Sequence, residues 1–122
     1  VKVGHGGTLD PMATGVLVIG VGKGCKQLES YLKGTKAYRA EALLGIETDT
    51  QDSEGTETEA APWDHITLEA VEAALGKFRG EIMQVPPMYS ALKRDGKNLY
   101  ELARKGITVE REARPRFVHR LE

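Results

Sequence analysis

The sequence predicts an α+β fold, and three observations lead there. Gly15–Gly22 (GVLVIGVG) is β-branched and almost wholly apolar, the composition of a strand buried on both faces. Gly24–Leu32 and Thr67–Phe78 space their apolar residues at helical intervals. Strand-like and helix-like segments follow one another without the regular alternation of βαβ units, which sets aside a doubly wound parallel sheet. The 122 residues suit one compact domain.

Taken in order, the opening GHGGTLDPMATG is rich in glycine and reads as a structured loop. After the Gly15–Gly22 strand, Cys25, Leu28, Tyr31 and Leu32 make the stripe of a short helix that Gly34 terminates. Lys36–Gly45 alternates as a strand with Tyr38, Ala40 and Ala42 on one face. Glu47–Glu59 is polar, acidic and Thr-rich, the character of an exposed loop with at most a short strand. Thr67 is placed to cap a helix ending near Phe78, with Glu69 in its first turn and Gly80 just beyond. Glu81–Val85 reads as a strand closed by Pro86-Pro87, and Met88–Lys93 as an extended piece before an Asp95-Gly96 turn. Lys97–Lys105 is helical in pattern with Gly106 at its end, and Arg114–Leu121 alternates again around Phe117.

Composition excludes several classes. With 40% apolar residues and a net charge of −1, the chain is not disordered. No run approaches the ~18 apolar residues of a membrane span, and Val1-Lys2-Val3-Gly4 has no signal-peptide core. The single Cys25 excludes an internal disulfide framework and a multi-cysteine zinc site. A soluble, intracellular, globular chain is expected. The near-neutral total hides segregation: residues 1–40 carry six basic side chains against two acidic, residues 41–75 ten acidic and no Lys or Arg, and residues 76–122 eleven basic against six acidic. Two basic blocks around an acidic one fit either a polyanion-binding face or solvated surfaces that differ in charge.

Cofactor motifs do not match. Gly22-Lys23 lacks the glycine five positions earlier and the Ser or Thr that a P-loop requires. Gly20-x-Gly22-x-Gly24 has Cys25 where a dinucleotide turn needs its last glycine, so it reads as a tight strand-to-helix turn. His5, His65 and His119 are scattered without metal-ligand spacing, and no metal or cofactor is expected. Cys25 reads either as a nucleophile activated by nearby lysines or as a small packed hydrophobe. Asp10, held before Pro11 in the glycine-rich loop, is either a turn residue or a carboxylate presented for chemistry. Tyr38 is either a half-buried strand aromatic or a stacking platform beside Lys36 and Arg39.

At Gly4–Gly22 (GHGGTLDPMATGVLVIGVG) the chain closely resembles the TruB-type tRNA pseudouridine synthases. The resemblance continues, in order and at the family's spacing, through Thr35–Ala40 (TKAYRA), Leu44–Asp52 (LGIETDTQD), Phe78–Lys93 (FRGEIMQVPPMYSALK) and Asp95–Arg116 (DGKNLYELARKGITVEREARPR). It implies a mixed, largely antiparallel sheet with flanking helices, residues 1–122 forming part of a catalytic domain with an RNA-gripping insertion at about 80–114. It also implies isomerisation of a T-loop uridine to pseudouridine, without a cofactor, on the T-arm of tRNA. By the same resemblance Asp10 is the catalytic carboxylate, Tyr38 packs against the target base, and His5 contacts the RNA beside it. Asp49 matches an acid that orients a catalytic arginine, and Lys93, Lys97, Arg104 and Lys105 fall in the gripping insertion.

Two departures accompany the match. The family's Lys-Pro-x-Gly stretch before the Gly-His loop is absent, and its catalytic arginine lies beyond the position matched by Glu122, so a fragment of weak or no activity is expected. A non-catalytic tRNA-binding or folding module is the alternative from another class. A guide-RNA-dependent synthase is a further alternative, but those relatives lack the insertion matched by Tyr89–Arg114. Gly6 leans toward eukaryotic relatives, and the intracellular compartment stays open between nucleus, mitochondrion and cytoplasm.

Overall fold

Glycine decides how the first strands and the first helix meet. The computed structural model describes residues 1–88, 93–94, 97–98, 101, 104–105 and 110–122. It divides into two compact units, Val1–Ala42 and Leu43–Glu122, each treated by itself. In the first, β1 (Val3–His5) pairs antiparallel with β2 (Ile19–Val21) in the register Val3↔Val21, Gly4↔Gly20, His5↔Ile19. Two further backbone bonds extend the ribbon: Gly22 N–H to Lys2 C=O at 2.7 Å and Gly6 N–H to Val18 C=O at 2.8 Å.

Gly22, at φ +56°, turns the chain into a 3-10 segment, Gly22–Gln27, that continues as α1 (Leu28–Lys33). This helical stretch lies on the glycine face of the ribbon. A Cβ at Gly20 would come within 2.9 Å of Leu28 Cδ1 and Cγ and 3.0 Å of Cys25 Cα. One at Gly4 would meet Leu28 Cδ1 at 3.0 Å, and one at Gly6 would meet Tyr31 Cβ at 3.0 Å. Gly6 and Gly20 are the two buried residues among those described. At the far end of α1, Gly34 N–H reaches Tyr31 C=O at 3.3 Å. The Lys36 ammonium donates to the carbonyls of Leu32 at 2.7 Å and Gly34 at 3.1 Å, satisfying acceptors the helix leaves open.

The second unit is built of hairpins and one longer helix. β3 (Ile46–Thr48) pairs with β4 (Glu57–Ala60), with a register shift after Glu47. Thr67 is extended at φ −103°, ψ 161°, and its hydroxyl accepts the Ala70 N–H at 3.1 Å, capping α2 (Leu68–Leu75). A 3-10 turn, Gly76–Phe78, leads to β5 (Gly80–Gln84). β6 (Lys93–Arg94) and β7 (Lys97–Asn98) form a short ribbon, and β8 (Arg114–Val118) pairs with β5. Arg79 donates to Glu72 Oε1 at 2.6 Å and to the Leu121 carbonyl at 2.7 Å, tying α2 to the segment after β8.

Among the described residues all four ladders are antiparallel, each a two-stranded ribbon, and the fold is α+β. Several expectations need correction. The Gly15–Gly22 strand is confined to Ile19–Val21 and has one covered face; Val16 is 92% exposed. Its glycines, not its branched side chains, make the contact. Lys36–Gly45 forms no strand, because alternation supplies a pattern but a strand needs a ladder partner, and none pairs with it among the described residues. Gly34 terminates α1 as expected, in extended backbone with φ −70° and ψ 170°. Lys97–Asn98 belongs to a ribbon, not to the expected helix, which is seen at Glu101 and Arg104 with Lys105 N–H bonded to Glu101 C=O at 3.3 Å. The expected extended piece at 89–92, the Asp95-Gly96 turn and the Gly106 terminus lie outside the described residues.

Thr67→Ala should lower stability by about 1 kcal/mol, and Thr67→Ser should leave it nearly unchanged, in urea denaturation.

Candidate functional site

Asp10 sits in the loop that connects β1 to β2, residues 7–17, whose two stems are joined by the Gly6–Val18 bond. The loop reverses at Asp10-Pro11-Met12-Ala13, where the Asp10 carbonyl accepts the Ala13 N–H at 2.9 Å. Proline at the second position favours such a turn, and Met12 keeps an ordinary negative φ, so the turn is not type II. Closure is therefore main chain to main chain. Among the described residues the Asp10 carboxylate takes no hydrogen bond or ion pair, and the residue is exposed. The Asx-turn reading required that carboxylate as an acceptor and is not what is found.

His5 alternates with Gly4 and Gly6 on β1, so it lies on the face opposite α1, across from Ile19. Both are exposed. Tyr38 follows α1 in irregular extended chain and is 84% exposed, which removes the half-buried strand reading. Lys36, its expected charge neighbour, is engaged on the helix carbonyls instead. His5, Asp10 and Tyr38 all fall in the first unit, but no hydrogen bond, ion pair or ring contact joins them among the described residues.

In the second unit, Asp49 and Thr56 bond reciprocally across the β3–β4 turn. Asp49 N–H reaches Thr56 C=O at 3.1 Å, and Asp49 Oδ1 accepts Thr56 N–H at 2.8 Å. Asp52 Oδ1 accepts from the Thr50 hydroxyl at 2.6 Å and the Glu54 N–H at 2.9 Å, while the Thr48 hydroxyl donates to Asp52 C=O at 2.7 Å. Gln51 is the residue pushed into the left-handed region, at φ 60°. Gly55 is required because a Cβ there would run into Asp49 Oδ1 and the Thr50 hydroxyl. Asp49 thus spends one carboxylate oxygen on its own turn.

The basic candidates are spread over short elements. Lys93 and Lys97 occupy neighbouring rungs of the β6–β7 ribbon, Lys93↔Asn98 and Arg94↔Lys97. Arg104 and Lys105 are exposed near the helical turn at Glu101. Cys25 is a free thiol, partly covered, with Sγ 3.3 Å from Gly20 C=O and 3.7 Å from Lys2 C=O, the setting of a packed small residue. Among the described residues no three His, Cys, Asp or Glu side chains come together in a way that could hold a metal ion. Nor is any described helix long and apolar enough to cross a membrane.

Sequence reasoning missed three roles: Gly4, Gly6 and Gly20 as a helix seat, Lys36 as a helix cap, and Asp52 as the acceptor that organises its turn. The first had a signal, since glycines at 4 and 6 share one strand face and Gly20 returns opposite.

A family model described as TruB family pseudouridylate synthase (N terminal domain) matches residues 1–122. The chain belongs to this family. It is 57% identical to tRNA pseudouridine synthase B of Aromatoleum aromaticum over 99% of this chain and 39% of that protein. It is 58% identical to pseudouridylate synthase TRUB1 of Mus musculus over 97% of this chain and 35% of that one. With tRNA pseudouridine synthase 4 of Schizosaccharomyces pombe the figures are 52%, 98% and 29%. The chain therefore spans well under half the length of these relatives.

Asp49→Asn keeps an acceptor for the Thr56 amide and should preserve its protection in hydrogen exchange. Asp49→Ala should expose that amide and cost about 1 kcal/mol in denaturation, the net worth of one such bond.

Proposed function

We propose that this chain carries the catalytic carboxylate of a tRNA pseudouridine synthase, that the target is a T-loop uridine, and that Asp10 is that carboxylate. The observation behind this reading is that the Asp10 turn is closed by backbone alone, so its carboxylate is not spent on the fold. Membership of the TruB family, and relatives that are themselves pseudouridine synthases by name, support the reaction class.

Isomerisation cleaves the C1′–N1 glycosidic bond, rotates the uracil and joins C5 to C1′, with the C5 proton released. A uridine inside a folded loop must first be flipped out of its stack. A carboxylate on an exposed loop can then reach the sugar, either attacking C1′ or stabilising positive charge that develops there, or taking a sugar proton as base. Tyr38, with most of its ring open to solvent, supplies a surface on which the detached base is retained. His5 contacts the RNA beside the target. Asp49 orients the arginine that the family resemblance calls for. Lys93, Lys97, Arg104 and Lys105 hold the T-arm backbone as part of an insertion at about 80–114, within a partial catalytic domain of residues 1–122.

Tritium release from tRNA carrying [5-³H]uridine tests the reading directly, because C5 loses hydrogen only when the new C–C bond forms. Asp10→Asn should abolish release and leave tRNA affinity within several-fold. An unchanged rate removes Asp10 from the chemistry; tRNA binding without release by the parent chain marks a non-catalytic RNA-gripping module instead.

Neutralising Lys93, Lys97 and Arg104 together should weaken tRNA binding and flatten its dependence on salt, since each lost phosphate contact releases fewer counterions. A titration of binding against salt concentration checks this.

A further inference from the structure

We propose that Leu28 and Tyr31 are positioning residues for Asp10, acting through the glycine face of the β1–β2 ribbon. This rests on the reading of Asp10 as the catalytic carboxylate. Neither residue has been given a role above, and neither touches Asp10.

Three observations connect them to it. Gly4 and Gly20 are direct cross-strand partners, so their bare α-carbons make a shallow seat shared by both strands. The end of the Leu28 side chain occupies that seat, placed so that a Cβ on either glycine would come within 2.9–3.0 Å of it. One helical turn later Tyr31 Cβ stands equally close to the Cβ position of Gly6. Gly6 is also the residue whose N–H closes the loop onto Val18 at 2.8 Å. The two stems of the Asp10 loop are thus bonded to each other and pressed against consecutive turns of one helix. Val18 adds to this, since its Cβ lies 3.5 Å from the Cβ position of Gly6.

Inside the loop the restraint continues in one place: Leu9 Cδ2 lies 3.7 Å from the Cβ position of Gly15, so the residue beside Asp10 packs on the returning arm. A change in the Leu28 seat shifts both stems at once and moves the carboxylate without altering any group that meets RNA. A displacement near 1 Å at a reacting group can cost about a hundredfold in rate.

The test uses steady-state tritium release, tRNA binding and amide exchange at position 6 on the same variants of the chain. Leu28→Met conserves volume and should keep kcat within twofold. Leu28→Ala should lower kcat at least tenfold, leave KM for tRNA within about twofold, and speed exchange of the Gly6 amide. Gly4→Ala should do the same by crowding, since Leu28 Cδ1 is its one tight neighbour, and combining it with Leu28→Ala should recover part of kcat and of amide protection, because the added methyl fills space the leucine vacates. Gly24→Ala, where an added Cβ meets nothing within 4 Å, is the neutral control. Loss of KM and kcat together, or a double variant no better than the worse single one, overturns the proposal by reducing these residues to general stability. Full activity of Asp10→Asn, or no tritium release by the parent chain, also overturns it, and exchange at position 6 then tells whether the brace itself stands.

Discussion

The close approach of α1 to unsubstituted backbone is the constraint on which the first unit depends. A three-residue ribbon has little side-chain surface to bury, and here the branched side chains of Val3, Ile19 and Val21 all remain exposed. Contact is made on the other face, where absent side chains let Leu28 and Tyr31 reach the main chain. Dispersion between closely packed atoms replaces the burial of large side chains. The cross-strand pair Gly4↔Gly20 sets the distance, and Gly22 in the left-handed region allows the chain to fold back onto the seat at once. The loop bearing Asp10 inherits its fixed ends from this arrangement.

How much of this was legible in the sequence varies with how local the cause is. The α2 cap was readable from Thr67 and Glu69 because capping depends on residues within one turn. β5 and β8 both fall in segments read as strands, the second from its alternation. Tyr38 shows the opposite case, since alternation at Lys36–Gly45 can specify faces but cannot supply a neighbouring strand. The apolar run at Gly15–Gly22 misled for a related reason: valines and isoleucine drew attention, while the contact was made by Gly20 between them. For the candidate site, Asp10 and Tyr38 drew notice as residues, while the roles expected of them, of His5 and of Asp49 came from resemblance. Residue spacing alone left Asp10 divided between turn and chemistry, because the two differ only in which oxygen closes the reversal.

The acidic middle of the chain takes on a different meaning in the structure. Asp49 and Asp52 are acceptors for backbone and hydroxyl donors within their own hairpin turn. They stand in for main-chain carbonyls where the bend, with Gln51 at positive φ, leaves N–H groups without ladder partners. Charge in this stretch therefore follows from building a tight turn, and its sign is incidental to at least these two positions. Asp10 contrasts with both. Its turn uses the carbonyl that any residue has, and the acid is surplus to the architecture.

The seat formed by Gly4 and Gly20 also bears on how such a chain can drift over generations. Volume at position 4 and the end of the side chain at position 28 compete for the same space, so a larger residue at 4 goes with a smaller one at 28. Position 20 is more restricted, because the Cys25 α-carbon also stands 3.0 Å from the place of its Cβ. Positions 4 and 28 should be inherited as a matched pair, while Gly24, where an added Cβ meets nothing within 4 Å, is free to vary alone.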